Sequence, residues 1–149
     1  VSVSDGLFHE FVVPYYSRYY ARWGMGYFGC CEALHNRIDY IRLIPNVRKI
    51  SISPWAKLAK SAESIGPDFV FSRKPNPAMV AMDQWVPEIA VRDFEETLEV
   101  TRANGCPVEF TLKDISNEIN TTAVQGPNLT ESTASVEYFS GNESSVNIG

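Results

Sequence analysis

Apolar and polar positions along this 149-residue chain follow two alternating periods. In residues 4–22, Leu7, Phe8, Phe11, Val12, Tyr15, Tyr16 and Tyr19 recur every three or four places, which predicts a helix. Ser4 or Asp5 is placed to cap it. Pro14 falls inside the pattern and predicts a kink or a split. Gly24 and Gly26 end it, and residues 25–31 read as a first strand. Residues 35–44 form a short helix pattern with Ile38, Ile41 and Leu43 or Ile44 facing inward, stopped by Pro45. Residues 47–53 read as the second strand and 55–65 as a helix carrying Leu58, Ala59, Ala62 and Ile65 on one face. Residues 69–72 read as the third strand and 74–81 as a loop with two prolines. Residues 83–104 make the longest helix, its acid-rich middle at 93–96 solvated and Asn104-Gly105 closing it. Residues 108–112 read as the fourth strand.

Strands that alternate with helices of this length imply crossover connections and a parallel sheet, so the fold class is α/β. The pattern stops near residue 116. Residues 117–149 are rich in Asn, Ser, Thr and Gly, with one apolar knot at Val136, Tyr138 and Phe139. That tail reads as poorly ordered or weakly β. It holds Asn-x-Ser/Thr triplets at Asn120, Asn128 and Asn142, which a tail of this composition generates by chance. The chain therefore divides into a body, 1–116, and a polar tail, 117–149.

Composition narrows the function classes. The net charge of −5 argues against an electrostatic grip on nucleic acid. No apolar run reaches the ~18 residues of a membrane helix. The opening VSVSDGLF has no basic region followed by an apolar block, as a signal peptide would. Of the three cysteines, Cys30 and Cys31 are neighbours, a geometry that strains a mutual disulfide. They read as free thiols of a cytoplasmic protein. All 13 Lys and Arg lie within 1–116, so the tail carries acid only.

Each predicted strand ends in reactive residues, and in parallel α/β sheets that end carries ligands and chemistry. The first ends in Cys30, Cys31 and Glu32, and the second in Ser53. The third ends in Ser72, Arg73, Lys74 and Asn76, and the fourth in Lys113 and Asp114. A thiolate at Cys31 can act as nucleophile or metal ligand. Cys30, Cys31 and His35, with Glu32 beside them, are candidate zinc ligands. Strand alternation puts Cys31 on the side of Gly29 and Tyr27 and Cys30 on the side of Phe28, which makes Cys31 the functional thiol and Cys30 a packing residue. Arg73 and Lys74 suit a carboxylate or phosphate. His9 and the tyrosines of the first helix read as packing residues.

The segments FHEFVVPYY, GYFGCCEAL, IPNVRKISISPWA, SRKPNPA and CPVEFTLKDIS, in that order, resemble the uroporphyrinogen decarboxylase superfamily. The likeness is to the branch of decarboxylase-like proteins grouped with cobalamin-linked methyltransferases. It implies a (β/α)8 barrel, of which residues 1–116 resemble the C-terminal half. A whole barrel needs ~250 residues, so the expected architecture is a partial barrel of about four parallel strands with covering helices. The final amphipathic helix expected in the family has no counterpart after residue 117.

The resemblance implies corrinoid-linked methyl transfer, with a thiolate or metal at the strand ends and the corrinoid supplied by a partner protein. In that reading Cys31, Glu32, Lys74 and Lys113 are catalytic, and Ser53, Arg73, Asn76 and Asp114 bind a small-molecule substrate. The methyltransferases carry His-x-Cys where this chain has Gly29-Cys30-Cys31, so their zinc triad is incomplete here. The alternatives are decarboxylation of a tetrapyrrole acid and a catalytically inert half-barrel. An unfinished barrel exposes sheet edges and invites self-association.

Overall fold

The structure, a computed structural model, describes residues 3–79 and 86–112 and the backbone of Ser135–Tyr138. Its elements in chain order are α1 (Asp5–Leu7), a π turn (Phe8–Val12), α2 (Val13–Tyr20), β1 (Gly26–Phe28), α3 (Ile38–Ile41), β2 (Val47–Ile52), α4 (Leu58–Ile65), β3 (Val70–Arg73), α5 (Pro87–Ala103), β4 (Val108–Thr111) and β5 (Ser135–Tyr138). The sheet runs β1-β2-β3-β4-β5. The first four strands are parallel neighbours in sequence order. β5 is antiparallel to β4, with Phe110 opposite Val136. One short strand of the polar tail thus closes the β4 edge, and the rest of the tail lies outside the described residues.

The first helical stretch shows what a proline does inside a helix pattern. Pro14 has no N–H and its ring crowds the carbonyl four residues back. The chain neither breaks nor splits there. It widens into the π turn, and the Val13 N–H bonds to the Phe8 carbonyl five residues earlier. The extra residue rotates the helix face. Phe8, Val13 and Tyr20 are buried, whereas Leu7, Phe11, Tyr15 and Tyr19 of the predicted stripe are exposed. Ser4 Oγ accepts from the Leu7 N–H at 3.3 Å, as a cap should.

The two sheet faces are chemically opposite. Phe28, Ile50, Ile52, Phe71, Val108 and Phe110 point to one side. There they form a single apolar cluster with Phe8, Val13 and Tyr20 of the first helical stretch, Ile38 and Ile41 of α3 and Ala62 and Ile65 of α4. α5 joins through Phe94, whose ring meets Phe110 edge-on at 4.7 Å. A bulge adjusts β2: the register passes from Gly26↔Val47 to Tyr27↔Lys49, leaving Arg48 as the extra, exposed residue. Val47 therefore joins the helix-side core with Ile50, three positions away.

The helices start and stop on local signals. Pro87 occupies the first turn of α5, where its missing N–H costs nothing. α4 ends at Gly66, whose φ of 53° suits only glycine, and Pro67 prevents its continuation. The acidic middle of α5 is only partly solvated. Glu95 and Glu96 are exposed, but Asp93 turns inward to a buried arginine.

Candidate functional site

The second sheet face carries the polar set. Along β2 and β4 every other residue is polar: Lys49 and Ser51, then Glu109 and Thr111. Ser72 of β3 and Tyr27 of β1 share that face. A parallel sheet is normally covered on both sides and built of continuous apolar runs. This alternation makes the face opposite the helices a polar wall.

Its groups are joined. Glu109 Oε1 lies 2.9 Å from Lys49 Nζ and accepts from Ser72 Oγ at 2.7 Å. Thr111 Oγ1 donates to the same oxygen at 3.4 Å. Ser72 Oγ also stands 3.4 Å from the Tyr27 hydroxyl, so the Tyr27 ring reaches across β2 to β3. Lys49 Nζ sits 4.8 Å from the centre of that ring. Burial alone would raise the Glu109 pKa, but the hydrogen bonds from Ser72 and Lys49 and the Lys49 charge outweigh it and hold the carboxyl below its usual range. Glu109 is therefore a fixed carboxylate, able to take a proton only at cost.

Lys74 completes the wall at the C-terminal strand ends. Its backbone N–H bonds to the Ile52 carbonyl at 2.8 Å, and Pro75 behind it is fully buried, so its position is fixed. Its ammonium lies 3.4 Å from the Cys30 carbonyl and 6.0 Å from the centre of the Tyr27 ring. No carboxylate pairs with it among the described residues. Among the described residues the wall thus holds two ammonium groups, Lys49 and Lys74, against one carboxylate, Glu109, leaving a positive excess at Lys74.

The thiols sit differently from the strand alternation. β1 ends at Phe28, because the Gly29 N–H turns back to the Tyr27 carbonyl at 3.1 Å. Cys30 and Cys31 lie in the bend beyond, where alternation no longer sets direction. Cys30 is half-buried against the core and Cys31 is exposed. The Cys30 carbonyl accepts from Ser51 Oγ at 2.8 Å, which anchors the bend to β2. Cys30 Sγ accepts from the Glu32 N–H at 3.3 Å.

Two of the expected metal ligands, Glu32 and His35, are engaged elsewhere. Glu32 Oε2 is 2.9 Å from Arg37 Nη1, and Arg37 also reaches Asp5 Oδ1 at 3.1 Å and the Val3 carbonyl. His35 Nδ1 accepts from the Lys57 N–H at 3.4 Å. Burial, then Lys57 and Lys60, lower the His35 pKa and keep the ring neutral at pH 7. Among the described residues, no group of three His, Cys, Asp or Glu could hold a metal ion. The described residues do not fit a zinc site.

Two expected substrate ligands face the wrong way. Arg73 alternates with Ser72 and Lys74, so its side chain enters the helix layer. There it is 4% exposed and donates to the Ser53 carbonyl at 3.0 Å and to Asp93 Oδ1 at 2.9 Å. Ser53 is fully buried beside it. Asn76 folds onto its own loop, its Oδ1 accepting from the Ala78 N–H at 3.1 Å. Lys113 and Asp114 lie outside the described residues.

Of the expected site residues, the structure brings Lys74 and the Cys30–Cys31 bend together and sends Arg73 and Ser53 to the other layer. The wall residues Tyr27, Lys49 and Glu109 escaped the sequence reading as site residues, and Ser72 entered it only as one of the polar residues ending the third strand. Their signal is the polar alternation in VRKISI and VEFT, which a buried parallel strand has no reason to carry. No family profile matches the chain, no characterised protein matches it, and no solved structure matches it.

Proposed function

We propose that this chain is the C-terminal half of a uroporphyrinogen decarboxylase-like barrel whose polar wall binds a small molecule through its carboxylate. The observation that carries the reading is Lys74: an ammonium on the polar face, its backbone anchored to β2, without an acidic partner among the described residues, beside an aromatic ring. The sequential parallel order and the helix layer on one face are what half of such a barrel requires. The ordered segments from FHEFVVPYY to CPVEFTLKDIS add the family.

Carboxylate recognition stands ahead of thiolate or metal chemistry, because Glu32 and His35 are already paired. In this reading the substrate is a tetrapyrrole acid. Lys74 holds a carboxylate, and the carbon–carbon bond to it breaks with release of carbon dioxide. The electron pair stays on carbon and is quenched by a proton. Lys49, linked to Glu109, is a proton-bearing group on the same wall and supplies that proton. Corrinoid-linked methyl transfer is the second reading, favoured by the exposed Cys31 thiol at the same end of the sheet.

The test is fluorescence titration with uroporphyrin. Wild type binds and Lys74→Met weakens binding by at least about tenfold, the loss expected from one charge-assisted contact of about 1.5–3 kcal/mol. Equal binding by Lys74→Met overturns the carboxylate site. No binding by either protein favours the inert half-barrel.

A further inference from the structure

Among the described residues, three buried side-chain polar atoms have no hydrogen-bond partner: Ser53 Oγ, Arg73 Nε and Asp93 Oδ2. They belong to residues that touch one another, since Arg73 donates to the Ser53 carbonyl and to Asp93 Oδ1. A buried polar atom left unpaired costs about 1–3 kcal/mol. Three such costs would consume much of a typical stability of about 5–15 kcal/mol. Three scattered orphans would call for three explanations, whereas three in one cluster call for one.

Their needs are complementary. Arg73 Nε–H only donates, Asp93 Oδ2 only accepts, and the Ser53 hydroxyl does either. An anion at Nε would face the Asp93 carboxylate, and a cation at Oδ2 would face the guanidinium. A small neutral molecule that both donates and accepts satisfies all three atoms.

We propose that Ser53, Arg73 and Asp93 enclose an internal site for one water molecule, which bridges the ends of β2 and β3 to α5. Buried waters typically make about three hydrogen bonds, the number these atoms offer. The site lies on the helix side of the sheet. It is separate from the polar wall and independent of what that wall binds.

The test is an atomic-resolution crystal structure of the wild-type protein, joined to water magnetic relaxation dispersion of wild type and Ser53→Val. The expected result is one ordered density peak within hydrogen-bond reach of all three atoms. In the dispersion, Ser53→Val loses one long-lived water. A wild-type map without that peak, whatever partners the three atoms then take, overturns the proposal. So does a dispersion amplitude unchanged in Ser53→Val. The wild-type map needs no variant, so a Ser53→Val chain that fails to fold leaves it decisive.

Discussion

Asp93→Ala measures how α5 is held to the strands. The Arg73 side chain is 4% exposed and its partner Asp93 20%. Removing the carboxylate leaves a guanidinium out of water, with the Ser53 carbonyl still accepting from it. Taking one partner from a buried ion pair costs about 3–5 kcal/mol, because the desolvated charge stays behind. Partial access at Asp93 puts the expected loss at the lower end, about 3 kcal/mol. Arg73→Met leaves the carboxylate instead, which is nearer solvent and rehydrates more readily, so about 2 kcal/mol is expected. The double variant Arg73→Met/Asp93→Leu buries no charge and should return to within about 1 kcal/mol of wild type. Urea denaturation at neutral pH, followed by circular dichroism, reads all three, with an unchanged slope confirming the same unfolding reaction. Additive losses, with the double variant worse than either single, would refute the argument that the stranded charge sets the cost.

Three further outcomes follow from named contacts. Glu109 is held below its usual pKa, so its contribution to stability is present above the unfolded carboxyl value and is lost as pH falls through the folded one. Glu109→Gln should flatten the acid limb of a urea-midpoint profile below about pH 4.3, and an unchanged limb would count against the network. Burial raises the Cys106 thiol to about 11, and its Sγ lies 3.3 Å from the Ala62 carbonyl. Dithionitrobenzoate should therefore label Cys31 first and reach Cys106 only on unfolding, and simultaneous labelling of both in the folded protein would contradict this placement. A Cβ at Gly26 would lie 2.1 Å from the Tyr20 ring, which is buried, stacked near Phe28 and tied through its hydroxyl to the Tyr27 carbonyl at 2.7 Å. Gly26→Ala should cost about 1–3 kcal/mol by thermal melting, and an unshifted melting temperature would mean that the ring moves freely.

The sequence by itself determined the order of elements and the parallel sheet. Those rest on local signals: apolar spacing of three to four in α4 and α5, short apolar runs at β2 and β3, and prolines and glycines at Pro45, Gly66, Pro67 and Gly105. It also placed Lys74 and the cysteine pair at one end of the sheet, because parallel strands point their C-terminal ends together.

Only the tertiary structure decided which face each side chain takes. Pro14 shifted the face of the first helix through a π turn, a choice between kink, break and bulge that packing on Phe28 makes. The turn at Gly29 ended β1 before the cysteines, so alternation could not aim them. Arg73 looked like a substrate ligand because a guanidinium at a strand end suits a carboxylate or phosphate, yet Asp93, twenty residues later, gave it a partner beneath the sheet. Glu109 meets Lys49 sixty residues away. Periodicity reads neighbours along the chain, and these pairings form only when separate strands and helices come together.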